Sequence, residues 1–527
     1  MCAKRHGTGS QPWVNIISSF SAYPSQGNLP GNTGVQAITI TSSASRGIAL
    51  ILLSLALVTG FSTAAKVTAN EFNLPVLGDA SSGVISLQQE YELGRAWLKA
   101  FRSRVETLDD PEIQVYLEQL LYDLAEHSSL ENPRLELVVI NNPTMNAFAV
   151  PGGVVGTHTG LFRYAESEDQ LASVLAHELG HLSQRHFSRR VSNQRASSIG
   201  TMAGLLAGII LAATVGGDAG MAAITTTQAM AMDSALRYSR QNEQEADRVG
   251  IETLYQSGRD PKAVSEMFEQ MLATTRFTGQ RPPEFLLTHP LTENRVSDAR
   301  NRINNYPAKN YQQSPQYALM RARALIHLDR TPQHSINRFS NELNGESLSR
   351  TAASYGLALA LSRAGKHARA WQTLQPLLQE EPTNLTLQLA AVQLEMASEK
   401  YEQALARIIG LQPLHKKNYA LQRAKAEVLL KSRDYNGSQQ VLDALSRQRS
   451  EDPAVWYQLA EVSGLAGDIV SVHQARAEYF IHIGVFDQAR KQLTYAKKLV
   501  GNNYQQNAIL DQRLRDVAVM EEKTKNL

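Results

Sequence analysis

Cysteine is nearly missing from this chain of 527 residues: Cys2 is its one example. Everything downstream can therefore form no disulfide and no thiolate metal site, so a metal here must be held by nitrogen and oxygen. A dominant charge sign is missing too. With 52 basic against 50 acidic residues the net charge is +2 and no long run of one sign occurs, which argues against nucleic acid as a partner. Long apolar runs are also lacking. Ile48 to Phe61 and Met202 to Ala213 both fall short of the roughly 20 residues a spanning helix needs.

The first of these runs has another reading. Arg46 precedes it and Ser62-Thr63-Ala64-Ala65 follows, the flanks of a signal-peptide core with cleavage after Ala65 or Ala69. No cysteine follows, so a lipoprotein anchor is not expected. Met1 to Ser45 is rich in Ser, Gly and Thr, has no acidic residue, and is long for the region ahead of such a core. An uncleaved membrane anchor is the competing reading.

What the chain does have is His177-Glu178-Leu179-Gly180-His181, an HExxH motif within helical periodicity. Ser167-Glu168-Asp169-Gln170 has the form of a capping box, and Leu171, Val174, Leu175, Leu179 and Leu182 recur at helical spacing. Residues four apart share a helix face, so both imidazoles reach one metal ion, and Glu178 stands beside its open position as a base for water. Asn242 to Arg248 supplies further ligands. Glu243 and Asp247 are four apart, so one carboxylate can bind metal while the other accepts a hydrogen bond from a ligand imidazole and fixes its tautomer. Glu245 points elsewhere on that helix, towards solvent. Each segment alone also reads as an ordinary surface helix. Together they make one site, with His177, His181 and Glu243 around one Zn²⁺ per subunit and Glu178 and Asp247 as catalytic carboxylates. Two nitrogens and a carboxylate also suit cobalt or manganese.

Two more segments bear on this site. Asn146, Ala147, Phe148 and Ala149 open a short apolar stretch that ends at Pro151-Gly152-Gly153, which reads as a strand and turn. Such a strand either offers an edge to an extended substrate or serves only the core. His289 precedes Pro290 and so lies in a loop or helix entry; a buried, hydrogen-bonded histidine is one reading of it. Arg295 either binds a substrate carbonyl or oxyanion, or ties its helix to an acidic neighbour.

From about residue 310 the pattern changes. Ile336, Ala370, Ala404 and Ser438 recur every 34 residues, each after a turn and near the start of a second helix. That period is the tetratricopeptide signature. Tyr479 to Ala489 reads as a further unit with shifted phase. Stacks of this kind present a concave surface to protein segments, or else brace the neighbouring domain. The expected fold is mainly α: a leader over 1–65, a zincin-type metalloprotease domain with a small β-sheet over 70–309, and an all-α tetratricopeptide-repeat solenoid over 310–527. Because every chemical motif lies upstream, removing 310–527 is expected to leave a folded zinc site.

HExxH, Asn242 to Asp247, Asn146 to Gly153 and Thr288-His289-Pro290 with Arg295 together resemble the zinc metallopeptidases related to the CAAX prenyl protease and the bacterial heat-shock membrane protease, over about residues 85 to 305. With its leader and repeat tail the chain is most similar to their periplasmic members in Gram-negative bacteria. The resemblance implies a zinc metalloendopeptidase, with unfolded or stalled outer-membrane β-barrel proteins as clients. It extends to the β-barrel assembly machinery as a docking partner and to peripheral membrane contact. Zinc would lower the pKa of water from about 15.7 towards 7, and Glu178 would take the proton and pass it to the leaving amine. The resemblance also makes His289 a fourth ligand that holds the enzyme latent, since a four-ligand site is closed. Membrane-embedded relatives carry spanning segments near Met202 to Met232. Here that stretch is interrupted by Gly216-Gly217-Asp218 and reads as a helix with a flexible following loop, either buried or covering the site. The alternative function is a non-proteolytic chaperone or adaptor with a structural or permanently closed metal site, against which the complete HExxH argues.

Overall fold

The computed structural model describes residues 85–193, 239–278, 283–307, 309–345 and 349–525. The leader and the stretch from Met202 to Met232 lie outside them. Helix α1 (Leu87–Arg102) starts at a full capping box: Ser86 accepts from the Gln89 amide, and the Gln89 side chain accepts from the Ser86 amide. Helix α2 (Pro111–Glu126) begins at Asp110, which accepts from the amides of Glu112 and Ile113. Three short strands follow, β1 (Glu136–Ile140), β2 (Ala147–Val150) and β3 (Val154–His158). Their order is β1-β3-β2, with β1 parallel and β2 antiparallel to β3. The tight turn between β2 and β3 needs Gly152 and Gly153, whose φ values are 82° and 80°.

After α3 (Leu161–Tyr164), helix α4 (Glu168–Ser183) carries HExxH. Its cap is half of the expected box: Ser167 accepts from the Gln170 amide, but the Gln170 side chain accepts from the Glu166 amide instead of Ser167. Helix α5 (His186–Asn193) folds back through Arg185, whose φ is 50°. Helices α6 (Arg240–Gln256), α7 (Lys262–Thr278), α8 (Glu284–Thr288) and α9 (Glu293–Ile303) complete this part.

Twelve helices follow among the described residues, paired from α10 (Pro315–Leu328) with α11 (Pro332–Asn344) through α20 (Phe486–Val500) with α21 (Tyr504–Lys525). Ile336, Ala370, Ala404 and Ser438 are all buried near the start of a second helix, where small side chains permit close crossing. Ser438 turns its hydroxyl to the Ala426 carbonyl, 2.7 Å away. The unit read at Tyr479 to Ala489 spans a junction: Ile469–His482 closes the fifth pair, and Ala489 sits in the first helix of the sixth.

The repeats do not stand apart from the first part. Ile113, Leu117, Leu120, Leu121 and Leu124 of α2 share one apolar cluster with Tyr317, Met320 and Leu325 of α10. Around that core the repeats send arginines to the start of α2. Arg323 reaches Asp110 at 2.7 Å and Glu112 at 2.8 Å, Arg423 reaches Asp109 at 3.0 Å, and Arg449 reaches Glu118 at 3.0 Å. Burial opposes ionisation of both Asp110 and Glu112. At Asp110 the nearby Arg323 and His327 outweigh it and hold the carboxyl far below its usual range; at Glu112 burial wins and pushes it up to about 7. This shared core runs against the expectation that removing 310–527 leaves a folded zinc site. No helix among the described residues is long and apolar enough to cross a membrane.

Candidate metal centre

Helices α4 and α6 cross at Gly180 of HExxH. A Cβ there would meet the Ala246 carbonyl oxygen at 2.8 Å, so only glycine allows the approach. A helical glycine costs about 1 kcal/mol against alanine, and here that cost admits the face of α6 that carries Glu243 and Asp247.

The approach brings four buried side chains together: His177, His181, Glu243 and His289. His177 Nε2 lies 3.1 Å from His181 Nε2 and 3.3 Å from His289 Nδ1. Glu243 Oε1 lies 3.1 Å from His289 Nδ1 and 3.5 Å from His181 Nε2. Ligands about 2.0–2.1 Å from one tetrahedral ion would be about 3.3–3.4 Å apart. The donor set of three nitrogens and a carboxylate oxygen, at these separations, fits a metal ion.

Two of the ligands are steered from behind. His177 Nδ1 is 2.9 Å from Asp247 Oδ1. Arg295 in turn grips both Asp247 oxygens at 2.7 Å and sits 2.8 Å from Glu243 Oε2. Burial works against the charge on Glu243, but His289, His177 and His181 outweigh it and hold the carboxyl well below its usual range. Burial drives His181 well below the usual imidazole value and leaves it neutral, the form that donates to metal. At His177 burial is outweighed by Asp247 and Glu243, which push the ring up to about 9, so an entering metal must displace a proton.

Glu178 stands apart from the ligand atoms. Both its oxygens are buried without a well-formed side-chain hydrogen bond; the Ala149 backbone amide approaches the carboxylate, and His289 Nε2 lies 3.6 Å from one oxygen. Burial pushes this carboxyl up, against the pull of His289 and His177. A raised carboxylate beside a metal site is placed to take a proton and return it.

Strand β2 borders the same place. It is the edge of the sheet, and the His158 amide donates to the Asn146 carbonyl at 3.0 Å. In this antiparallel register Asn146, Phe148 and Val150 turn their backbone groups to β3, and Ala147 and Ala149 turn theirs outward. Of the strand residues expected to meet substrate, Ala147 and Ala149 thus turn main-chain groups away from β3, though both are buried and the Ala149 backbone meets Glu178. The Asn146 side-chain oxygen is buried without a hydrogen-bond partner. Phe148 is a correction: its ring packs in the core against Trp97 at 5.9 Å and Phe101 at 5.8 Å. Arg295 is another. It is buried, and its guanidinium is committed to Asp247, Glu243 and the Pro290 carbonyl, which realises the acidic-tie reading rather than substrate binding.

Glu245 also departs from expectation. Its Oε2 lies 3.1 Å from His186 Nε2 and 3.0 Å from Arg189 Nη1, so it is only partly exposed and leans on α5. His186, which the sequence reading passed over, is fully buried with its Nδ1 2.9 Å from His181 Nδ1. The chain reverses at Arg185 to achieve this. A left-handed arginine costs roughly 1–3 kcal/mol, held here by bonds from Arg185 to Glu90 and to the Ile85 carbonyl.

With this geometry in place, comparison with known proteins is informative. Residues 111–303 match peptidase family M48. The chain is 34% identical to the β-barrel assembly-enhancing protease of Escherichia coli, across 86% of this chain and 92% of that one. It is 32% identical to the protein of that name in Yersinia pestis, across 85% and 92%. The mitochondrial metalloendopeptidase OMA1 of Schizosaccharomyces pombe is 31% identical across 34% of this chain and 50% of its own.

Proposed function

The chain belongs to the β-barrel assembly-enhancing proteases, and we propose that this metalloprotease cuts unfolded or stalled outer-membrane β-barrel proteins in the periplasm. The observation that carries the reading is the buried cluster of His177, His181, Glu243 and His289 with Glu178 buried beside it. Zinc is the metal that best suits these donors, and when bound it supplies Lewis acidity and acidifies water. Asp247 holds His177 in the tautomer that turns Nε2 to the metal, and Arg295 fixes Asp247. Ala147 and Ala149 offer main-chain groups to which an extended, unfolded segment adds as a strand. A folded barrel has no free strand to add. The purified protein should therefore fragment a urea-unfolded outer-membrane barrel and spare the same barrel folded in detergent. Equal cleavage of the two forms would contradict the reading.

His289 makes this a latent enzyme. Its Nδ1 sits among the ligand atoms, where it competes with water for the metal. His289→Ala should weaken zinc binding, because one of four ligands is lost, and raise peptide turnover at saturating zinc, because the position water needs is then free. Lower turnover in the variant would assign His289 a positive part in the reaction instead. A non-proteolytic adaptor is the second reading; it requires that His289 never leaves, and turnover by the wild type excludes it.

A further inference from the structure

Helix α6 carries three acids at alternate positions, Glu243, Glu245 and Asp247, and only the outer two share the metal-facing side. Glu245 leaves the helix on another side and meets α5. There the contacts form a chain: Glu245 Oε2 to His186 Nε2 at 3.1 Å, then His186 Nδ1 to His181 Nδ1 at 2.9 Å. The proton positions along it follow from one premise. If His181 gives Nε2 to the metal, its Nδ1 carries the hydrogen and donates. His186 must then accept at Nδ1, so its own hydrogen lies on Nε2 and is donated to the Glu245 carboxylate. Arg189 Nη1, 3.0 Å from the same Glu245 oxygen, holds the outer end.

We infer that Glu245 and His186 are positioning residues that orient His181 and fix its tautomer, as Asp247 does for His177. Each imidazole of HExxH is then backed by an acid from the same helix, one directly and one through a second imidazole. The two arrangements differ in reach: Asp247 meets His177 directly, whereas Glu245 meets His181 through His186. His186 joins the two, and the reversal at Arg185 puts it there.

The inference rests on the metal assignment above, and the test separates the two. Zinc affinity of the full mature chain is measured by chelator competition, and thermal midpoints are recorded with and without zinc. His177→Ala, which removes a ligand, should abolish tight binding; if it does not, the metal assignment itself fails. His186→Ala should weaken zinc about 10–100-fold, the usual cost of losing such a partner, while the zinc-free midpoint, lowered by the cavity left at this buried site, falls less than the zinc-bound one. His186→Asn, whose side-chain oxygen replaces the acceptor at Nδ1, should recover most of that loss. Glu245→Gln, isosteric and partly exposed, should weaken zinc about 3–10-fold in the wild-type background and have no effect in His186→Asn. Zinc affinities of His186→Ala and Glu245→Gln within twofold of wild type would overturn the inference. So would a Glu245→Gln effect that persists unchanged in His186→Asn, or a zinc-free midpoint that falls as far as the zinc-bound one.

Discussion

Glu178→Gln is expected to lower peptide hydrolysis by about 10²–10⁴-fold while the protein keeps its metal and its stability. Glutamine has the shape of glutamate but cannot take a proton from water. Little hydrogen bonding is lost in the change, because the Glu178 oxygens make no well-formed bond to a side chain and the glutamine oxygen can accept equally from the Ala149 backbone amide beside them. Nor is a ligand lost, since the carboxylate among the ligand atoms is that of Glu243. Removing a charge that burial disfavours should leave the melting temperature equal or slightly higher. The measurements are kcat/KM on a quenched peptide at saturating zinc, bound metal, and the thermal midpoint. His177→Ala, His181→Ala and Glu243→Ala serve as controls that lose metal and activity together. Full activity in Glu178→Gln would remove it as the base, and loss of metal would make it a ligand.

The core of this site was legible in the sequence because helical geometry is local. Four-residue spacing in His177/His181 and in Glu243/Asp247 puts each pair on one face, and the structure brings the two faces together. The period of 34 residues was legible for the same reason, since burial of Ile336, Ala370, Ala404 and Ser438 depends on contacts within a repeat and its neighbours. Glu245 and His186 were not legible. An acid two positions from a ligand leaves the metal face, and exposure is the ordinary fate of such a residue. Only the backbone reversal at Arg185 makes it otherwise, and φ > 0 at an arginine has no signal in the sequence. The choice left open at Arg295 turns on tertiary contact: Asp247 lies 48 positions away in the chain and holds Nε and Nη2, while Nη1 lies on Glu243 and the Pro290 carbonyl. The join between the two parts was hidden most deeply. Arg323 and Asp110 are 213 positions apart, and an arginine on a repeat helix looks like any solvated one.

That join carries the other large effect. Arg323→Ala should destabilise the whole protein by about 3–5 kcal/mol, the usual cost of stranding buried charge. Arg323 is the cation shared by Asp110 and Glu112, which are both buried; without it the ionised Asp110 keeps His327 and the two α2 amides it caps but no full cation. The loss should not stay local. Asp110 caps α2, and the apolar face of α2 lies in one core with Leu171, Leu175 and Leu179 of the helix that bears HExxH. Denaturant unfolding followed by zinc release and by far-ultraviolet dichroism should therefore give one coincident transition, shifted to lower denaturant in the variant. The sequence-based expectation of an independent zinc domain makes the opposite forecast: zinc release unchanged, with only the repeats melting early. Replacing the trio together, as Arg323→Met with Asp110→Asn and Glu112→Gln, should recover much of the stability, because no unpaired charge is then left inside. Such recovery would show that the cluster's cost lies in its stranded charges. A single-variant effect below about 1 kcal/mol, the scale of an exposed pair, would mean that the repeats and the protease part are coupled by the apolar core alone.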